Sequence, residues 1–290
     1  MDTQKMQGLY GLKWNPFSQD VPVDALHQTT KIQSFCHRVE SLVIDGGFAL
    51  VTGDPGFGKS VALRLLADRL GGIRDLQIGN ISRPQSGMSD FYREIGAVFG
   101  MGWTVSNRFG SFRALREKWL SHIDTTLFRP VLLIDEAQEA PSAVLSELRL
   151  MASVCFDSKV ILTVVLSGDN RLVERLRAPD LVPLGSRIRT RYRAEPAARD
   201  EMIATMNTRL AAAGNATLVN EETIELLVDH AAGNYRTLMN SAAELLATAL
   251  DRDAKKIDEK LFFDLYQPAE SRPRKPIAAR RAPPGDRHVN

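Results

Sequence analysis

Ten residues, "VTGDPGFGKS" from Val51 to Ser60, limit what this chain can fold into more than any other stretch. The apolar run "FALVTG" ends in Gly53-x4-Gly58-Lys59-Ser60. Val61, Leu65, Leu66 and Leu70 then recur at helical spacing. Glycines at a strand-to-helix turn let the backbone approach a ligand closely, and successive N–H groups form an anion-binding nest. The helix that begins at Lys59 adds the positive end of its dipole. Gly53, Asp54, Pro55, Gly56, Phe57, Gly58, Lys59, Ser60 and Val61 are therefore the expected cradle of a triphosphate. Lys59 would neutralise its outer phosphates and the Ser60 hydroxyl would ligate Mg2+. A glycine-rich turn explains any one of these features, but not strand, spacing and helix together.

Binding a triphosphate is not yet hydrolysing it. An acid is needed at the end of a neighbouring strand, and "PVLLIDEA" supplies two. Asp135 would hold the metal through water, and Glu136 would polarise the attacking water as general base. Two solvated acids at a strand end are common, so the motif gains its meaning from the glycine loop before it. Arg236, in "HAAGNYRTLMN", falls in the first turn of a helix, where the dipole disfavours a cation unless an anion is near. In "GSRIRTRYR", Arg187, Arg189, Arg191 and Arg193 alternate with Ile188, Thr190 and Tyr192 at strand period. Arg187 sits just ahead of that strand, where the AAA+ ATPases, which this order of motifs resembles, carry a finger toward a neighbouring copy's γ-phosphate, with Arg189 as the alternative. The same resemblance implies a first sensor, a polar residue at the end of the strand in "VVLSGDN", where Ser167 and Asp169 both fit.

The organisation agrees. Strands and helices alternate from Phe48 to about Tyr192, including the continuous apolar run "KVILTVVLSG", as in a parallel sheet covered on both faces. From Glu195 to Tyr266 only helical patterns occur, at about 196–212, 221–232, 234–250 and 258–266. The expected fold class is α/β, a P-loop parallel sheet covered by helices and followed by a small all-helical lid. The expected divisions are a lead-in segment with its helix (1–46), the α/β domain (47–194), the lid (195–267) and a tail (268–290).

That tail holds six of the chain's cations against two acids, and five prolines, so it is expected to stay disordered. Cys36 and Cys155 lack any CxxC or Cys/His companion, which suits a reduced cytoplasmic protein. The N-terminus lacks the apolar core of a signal peptide, and no apolar run approaches a membrane span, so no membrane role is expected.

In this order the motifs resemble an AAA+ ATPase. More narrowly, "YGLKWNPFSQDVP", "LVTGDPGFGKS", "VLLIDEAQEA", "LSGDNRLVERLR" and "GSRIRTRYR" resemble the ExeA/TniB/TnsC-like group. The resemblance runs from about Gly8 to Leu250. It implies ATP and Mg2+ as ligands, adenine packed near Pro16 and Phe17, Arg236 as a second sensor, and homo-oligomers, in rings or filaments, that activate hydrolysis. Secretion-type members carry a transmembrane helix and a wall-binding region that this sequence lacks. That shifts the expectation to the transposition helpers with a MuB-like role, which assemble on duplex DNA with ATP and recruit or stimulate a transposase. A soluble ExeA-like secretion or cell-envelope ATPase acting on a protein partner, and a replication-type helicase loader, are the alternatives. Where such assemblies meet DNA, this chain offers Arg83, Arg108 and Arg113, one or two phosphate contacts per copy that repetition would multiply.

Overall fold

A computed structural model describes residues 3–81, 84–101 and 108–266. Helix α1 (Thr3–Tyr10) and a single turn at Val23–Ala25 lead to α2 (Thr30–Asp45), which Thr29 caps by accepting the Ile32 N–H at 3.3 Å. The chain then enters β1 (Gly47–Thr52), α3 (Lys59–Gly71), β2 (Ile78–Ile81), α4 (Met88–Val98), α5 (Arg108–Thr126) and β3 (Val131–Ile134). Next come α6 (Ser142–Ala152), a two-residue hairpin of β4 (Ser153–Val154) and β5 (Lys159–Val160), β6 (Thr163–Gly168), short helices α7 (Asn170–Arg175) and α8 (Val182–Gly185), and β7 (Ile188–Arg193). Helices α9 (Arg199–Ala213), α10 (Glu221–Ala231), α11 (Tyr235–Asp251) and α12 (Glu259–Tyr266) complete the described chain.

Five strands form one parallel sheet in the order β2-β3-β6-β1-β7. Strand period sends Phe48, Leu50, Leu132, Ile134, Val164 and Leu166 to one core, shared with α4, α5 and α6. It sends Ala49, Val51, Val131, Leu133 and Val165 to the other, shared with α2 and α3. Both faces are dry, which is why these strands are apolar at nearly every position. The order brings the C-terminal ends of β1, β3 and β6 side by side, and that edge carries the loop and both acids.

The run "KVILTVVLSG" is not one strand. Its first two residues turn back as β5 against β4, through Cys155, Phe156 and Asp157, which all have positive φ. Ile161 and Leu162 are buried between the hairpin and β6, which begins at Thr163. Apolar character alone cannot mark that break.

The lead-in segment does not form one unit. Met6, Tyr10, Leu12 and Phe17 belong to the lid core, with Met206, Leu227, Leu245 and others. Val21 through Val43 instead join the sheet's α2–α3 core. Between them, the stretch from Asn15 to Val21 runs as a strap from one body to the other. Among the described residues no helix is long and apolar enough to cross a membrane.

Candidate nucleotide site

The loop after β1 has the geometry that its sequence requires. Gly53, Gly56 and Gly58 have φ of 152°, 89° and 93°, conformations that side-chain-bearing residues rarely adopt. A Cβ at Gly53 would overlap the Ala194 carbonyl, and one at Gly56 would overlap the Asn234 side-chain amide. Lys59 begins α3 and is buried at 8% exposure, with Nζ donating to the carbonyls of Gly53 (2.7 Å) and Asp54 (3.2 Å). Its ammonium is thus held at the mouth of the loop, beside the N–H groups of the turn. Asp54 accepts from the Asn170 side chain at 2.7 Å, which ties the loop to the start of α7.

Both acids of β3 lie at the same edge. The Ser167 hydroxyl donates to Asp135 Oδ1 at 2.8 Å, and the Glu136 N–H donates to the same oxygen at 3.0 Å. Glu136 is exposed and sits in the left-handed region (φ 50°, ψ 39°), a strained backbone for a residue with a side chain. Its carboxylate accepts from Gln138 Nε2, and Gln138 Oε1 accepts the Asp169 N–H at 3.3 Å. A buried amide therefore ties the expected base to the end of β6, and sequence reasoning passed over it inside "DEAQEA". Ser167 and Asp169 have separate tasks here. Ser167 touches Asp135, whereas Asp169 caps α7, accepting from the Arg171 N–H (2.9 Å) and Nε (2.8 Å). Burial pushes the Asp169 carboxyl up, but the Arg171 hydrogen bonds and the charges of Arg171 and Lys59 outweigh it and hold it below its ordinary range.

A magnesium ion fits this donor set. The Ser60 hydroxyl, in the first turn of α3, and the Asp135 carboxylate, just after β3, are the hard oxygen donors that such an ion prefers. Bound there, Mg2+ would neutralise charge on the phosphates.

The lid closes one side of the loop. Asn234 caps α11, accepting the N–H groups of Arg236 (2.9 Å) and Thr237 (3.1 Å), while its Nδ2 donates to Pro55 O at 3.1 Å. The Tyr235 N–H donates to Gly56 O at 3.0 Å. Arg236 is exposed in the first turn of α11, next to this junction and without an ion pair among the described residues.

Beside the loop lies a cavity. Phe57, Gly58 and Val61 form its floor, Leu26, His27 and Ile32 one wall, and Tyr192, Tyr235 and Met239 another. Burial pushes the Tyr192 hydroxyl up to about 12, so it faces this space as a neutral phenol. Pro16 and Phe17 do not line the cavity. Phe17 is 3% exposed within the lid core, and the Pro16 carbonyl accepts from Arg209 Nη1 at 3.2 Å. The two residues expected beside adenine thus lie away from this cavity, Phe17 filling the lid core, while Leu26, His27, Val61, Tyr235 and Met239 line it.

Arg187, the expected finger, sits just before β7 at the end of α8. Its side chain bonds Asp157 of the β4–β5 hairpin. Arg189, Arg191 and Arg193 are exposed along β7. Arg113 lies on the surface of α5, paired with Glu117 at 2.8 Å. Arg83, the Arg108 side chain and the basic tail lie outside the described residues.

An AAA domain matches residues 44–176, from the end of α2 to the residue after α7. General secretion pathway protein A of Aeromonas hydrophila is 31% identical over 207 residues, 71% of this chain, and the match spans only 37% of that protein. Cdc6p from Pyrobaculum aerophilum superposes with a TM-score of 0.68 at 18% identity, covering 83% of this chain and 67% of that one. The Aeropyrum pernix ORC2 protein in its ADP form reaches 0.71 at 13% identity, over 89% and 72%. The Thermotoga maritima RuvB Holliday junction branch migration motor reaches 0.55 at 15%, over 82% and 68%. At such identities the solved structures speak for the fold. What the sheet order, the phosphate loop and these relatives have in common is the P-loop fold of the AAA+ ATPases, and this chain has it.

Proposed function

We propose that the chain is a Mg2+-dependent ATPase that works as an assembly of copies on duplex DNA and, in that state, regulates transposition by recruiting or stimulating a transposase. The observation that carries the ATPase reading is the convergence of Lys59, Asp135 and Glu136 at one sheet edge, with Gln138 holding the Glu136 carboxylate. In this reading Lys59 and the loop N–H groups bind the β- and γ-phosphates, and Asp135 and Ser60 hold the metal. Glu136 takes the proton of the attacking water, and Arg187 of an adjoining copy stabilises charge on the γ-phosphate. Arg236 reaches the same phosphate from the lid. The role on DNA rests on the group of sequences that the motifs resemble.

A second reading has its own support. The 31% identical relative is named for a secretion pathway, so an ATPase that acts on a protein partner competes with the first. The matched part is little more than a third of that relative, and the remainder of that protein has no counterpart in the match.

Two measurements test this. Mixing Arg187→Ala with Glu136→Gln copies should restore part of the turnover that each lacks alone, because the mixture contains interfaces with both groups intact. Electron microscopy with ATP should show ordered assemblies only when duplex DNA is present. If assembly and turnover ignore DNA at low salt, the protein-partner reading replaces the first.

A further inference from the structure

Arg209 is a buried cation with no counter-charge. It is 7% exposed on α9 and forms no ion pair among the described residues. Its Nη1 donates to two carbonyls of the strap, Pro16 O at 3.2 Å and Ser18 O at 3.1 Å. Nε is buried without a hydrogen-bond partner, and Nη2 has none either among the described residues. The charge that acts on it is another cation, Arg64. Arg64 on α3 holds the next part of the strap, Gln19 O at 3.1 Å and Val21 O. Burial, and then the Arg64 charge, pushes Arg209 down to about 10. Leaving a buried charged donor unmatched is costly, and proteins avoid it unless something else completes the site.

The position supplies that something. Glu201, Thr205 and Arg209 recur every four residues on α9 and all line the cavity beside Phe57, Gly58 and Val61. On the other side of the guanidinium, Nη2 is a charged donor with no hydrogen bond among the described residues, able to pair with an acceptor atom of a planar ligand. We propose that Arg209 is the residue that recognises the base of a purine nucleoside triphosphate, donating from Nη2 to an acceptor atom of the ring while its Nη1 keeps the strap closed. This deepens the ATPase reading and rests on it. It assigns base recognition to the lid's first helix, at a residue distinct from those that hold phosphate.

The test compares nucleotide affinities in the full chain with Mg2+. The probes are ATP, deaza-ATP analogues in which each ring nitrogen in turn becomes C–H, GTP, and tripolyphosphate, which lacks a base. In the wild type, one deaza analogue should bind about ten- to a hundredfold more weakly than ATP, as loss of a charge-assisted hydrogen bond requires. Arg209→Met should weaken ATP by a similar factor, bind that analogue no worse than ATP, and bind tripolyphosphate as the wild type does. A GTP preference in the wild type that Arg209→Met removes also supports the assignment. Equal losses for ATP, all analogues and tripolyphosphate would mean that Arg209 only holds the strap, and would overturn it. If Arg209→Met does not fold, the wild-type series decides, since equal affinity for ATP and every analogue also overturns it. Failure of the ATPase reading looks different: the wild type then binds neither ATP nor tripolyphosphate, and Lys59→Ala changes nothing.

Discussion

The two ends of the nucleotide cleft are built by different means. In the proposed reading, the phosphate end comes from one uninterrupted loop and the tips of two adjacent strands, and it offers its ligand main-chain N–H groups, one ammonium and two acids. The base end draws on the turn before α2, the start of α3, the end of β7 and two lid helices, and it is mainly apolar surface with one unmatched guanidinium. Phosphate is the same in every nucleotide, so a fixed short motif suffices for it. A base needs a shaped cavity, and here that cavity forms only where the lid meets the sheet domain. The lesson is that chemistry and selectivity depend on different parts of the chain and should fail separately.

The largest expected effect tests that separation. Glu136→Gln removes the proton acceptor but keeps shape, so kcat should fall about 10²- to 10⁴-fold while ATP affinity stays within twofold, roughly the scale of general-base loss. Equal falls in affinity and kcat would break the division, because Glu136 would then belong to binding.

Gly56→Ala acts where the two ends join. The new methyl group would overlap the Asn234 amide, and φ of 89° is strained for alanine. A loss of about 1–3 kcal/mol in folding stability is expected. ATP affinity should fall with it, since Asn234 and Tyr235 dock the lid through Pro55 O and Gly56 O. Chemical denaturation with and without Mg-ATP measures both. An unchanged midpoint would show that the lid does not rest on the loop in solution.

The difference between the ends also explains what sequence could reveal. Gly53 to Ser60, Asp135 and Glu136 stand out in the sequence because they fall in contiguous runs, where spacing alone encodes geometry. Parallel strands buried on both faces gave long apolar runs, so the sheet was readable as well. The base cavity was not, because Leu26, Tyr192, Arg209 and Met239 meet only after folding, and each alone passes for an ordinary core or surface residue. Phe17 shows the same limit from the other side, since its packing in the lid core with Met206 and Leu227 is not encoded by its place before the loop. Gln138 escaped notice for a third reason, since its meaning lies in two hydrogen bonds and not in a pattern.

Met239→Ala probes the base end on its own. Met239 is 8% exposed on α11 and lines the cavity beside Tyr235. Trimming it should weaken ATP by about tenfold, the scale of lost apolar contact in a pocket. It should leave kcat at saturation and the affinity for tripolyphosphate unchanged. If tripolyphosphate weakens equally, the two ends are coupled more tightly than their construction suggests.

The smallest effect concerns the scaffold behind the base end. Cys36 lies on α2, 1% exposed, next to Phe35, whose ring meets that of Tyr192 at 5.5 Å. Burial raises the Cys36 thiol from an ordinary value near 9 to about 11, with Arg69 opposing and Glu40 adding to the shift. The folded chain thus keeps a proton that the unfolded chain gives up. Its stabilising contribution is complete below the unfolded value and is lost as pH rises toward 11. Wild type and Cys36→Ala should therefore differ in how steeply stability falls between pH 9 and 11, the alanine variant being the less sensitive. Denaturant midpoints at pH 8 and pH 10.5 decide it. Parallel slopes for the two proteins would mean that α2 opens to solvent before the thiol ionises, and the wall behind Tyr192 would then be the most mobile part of the cleft.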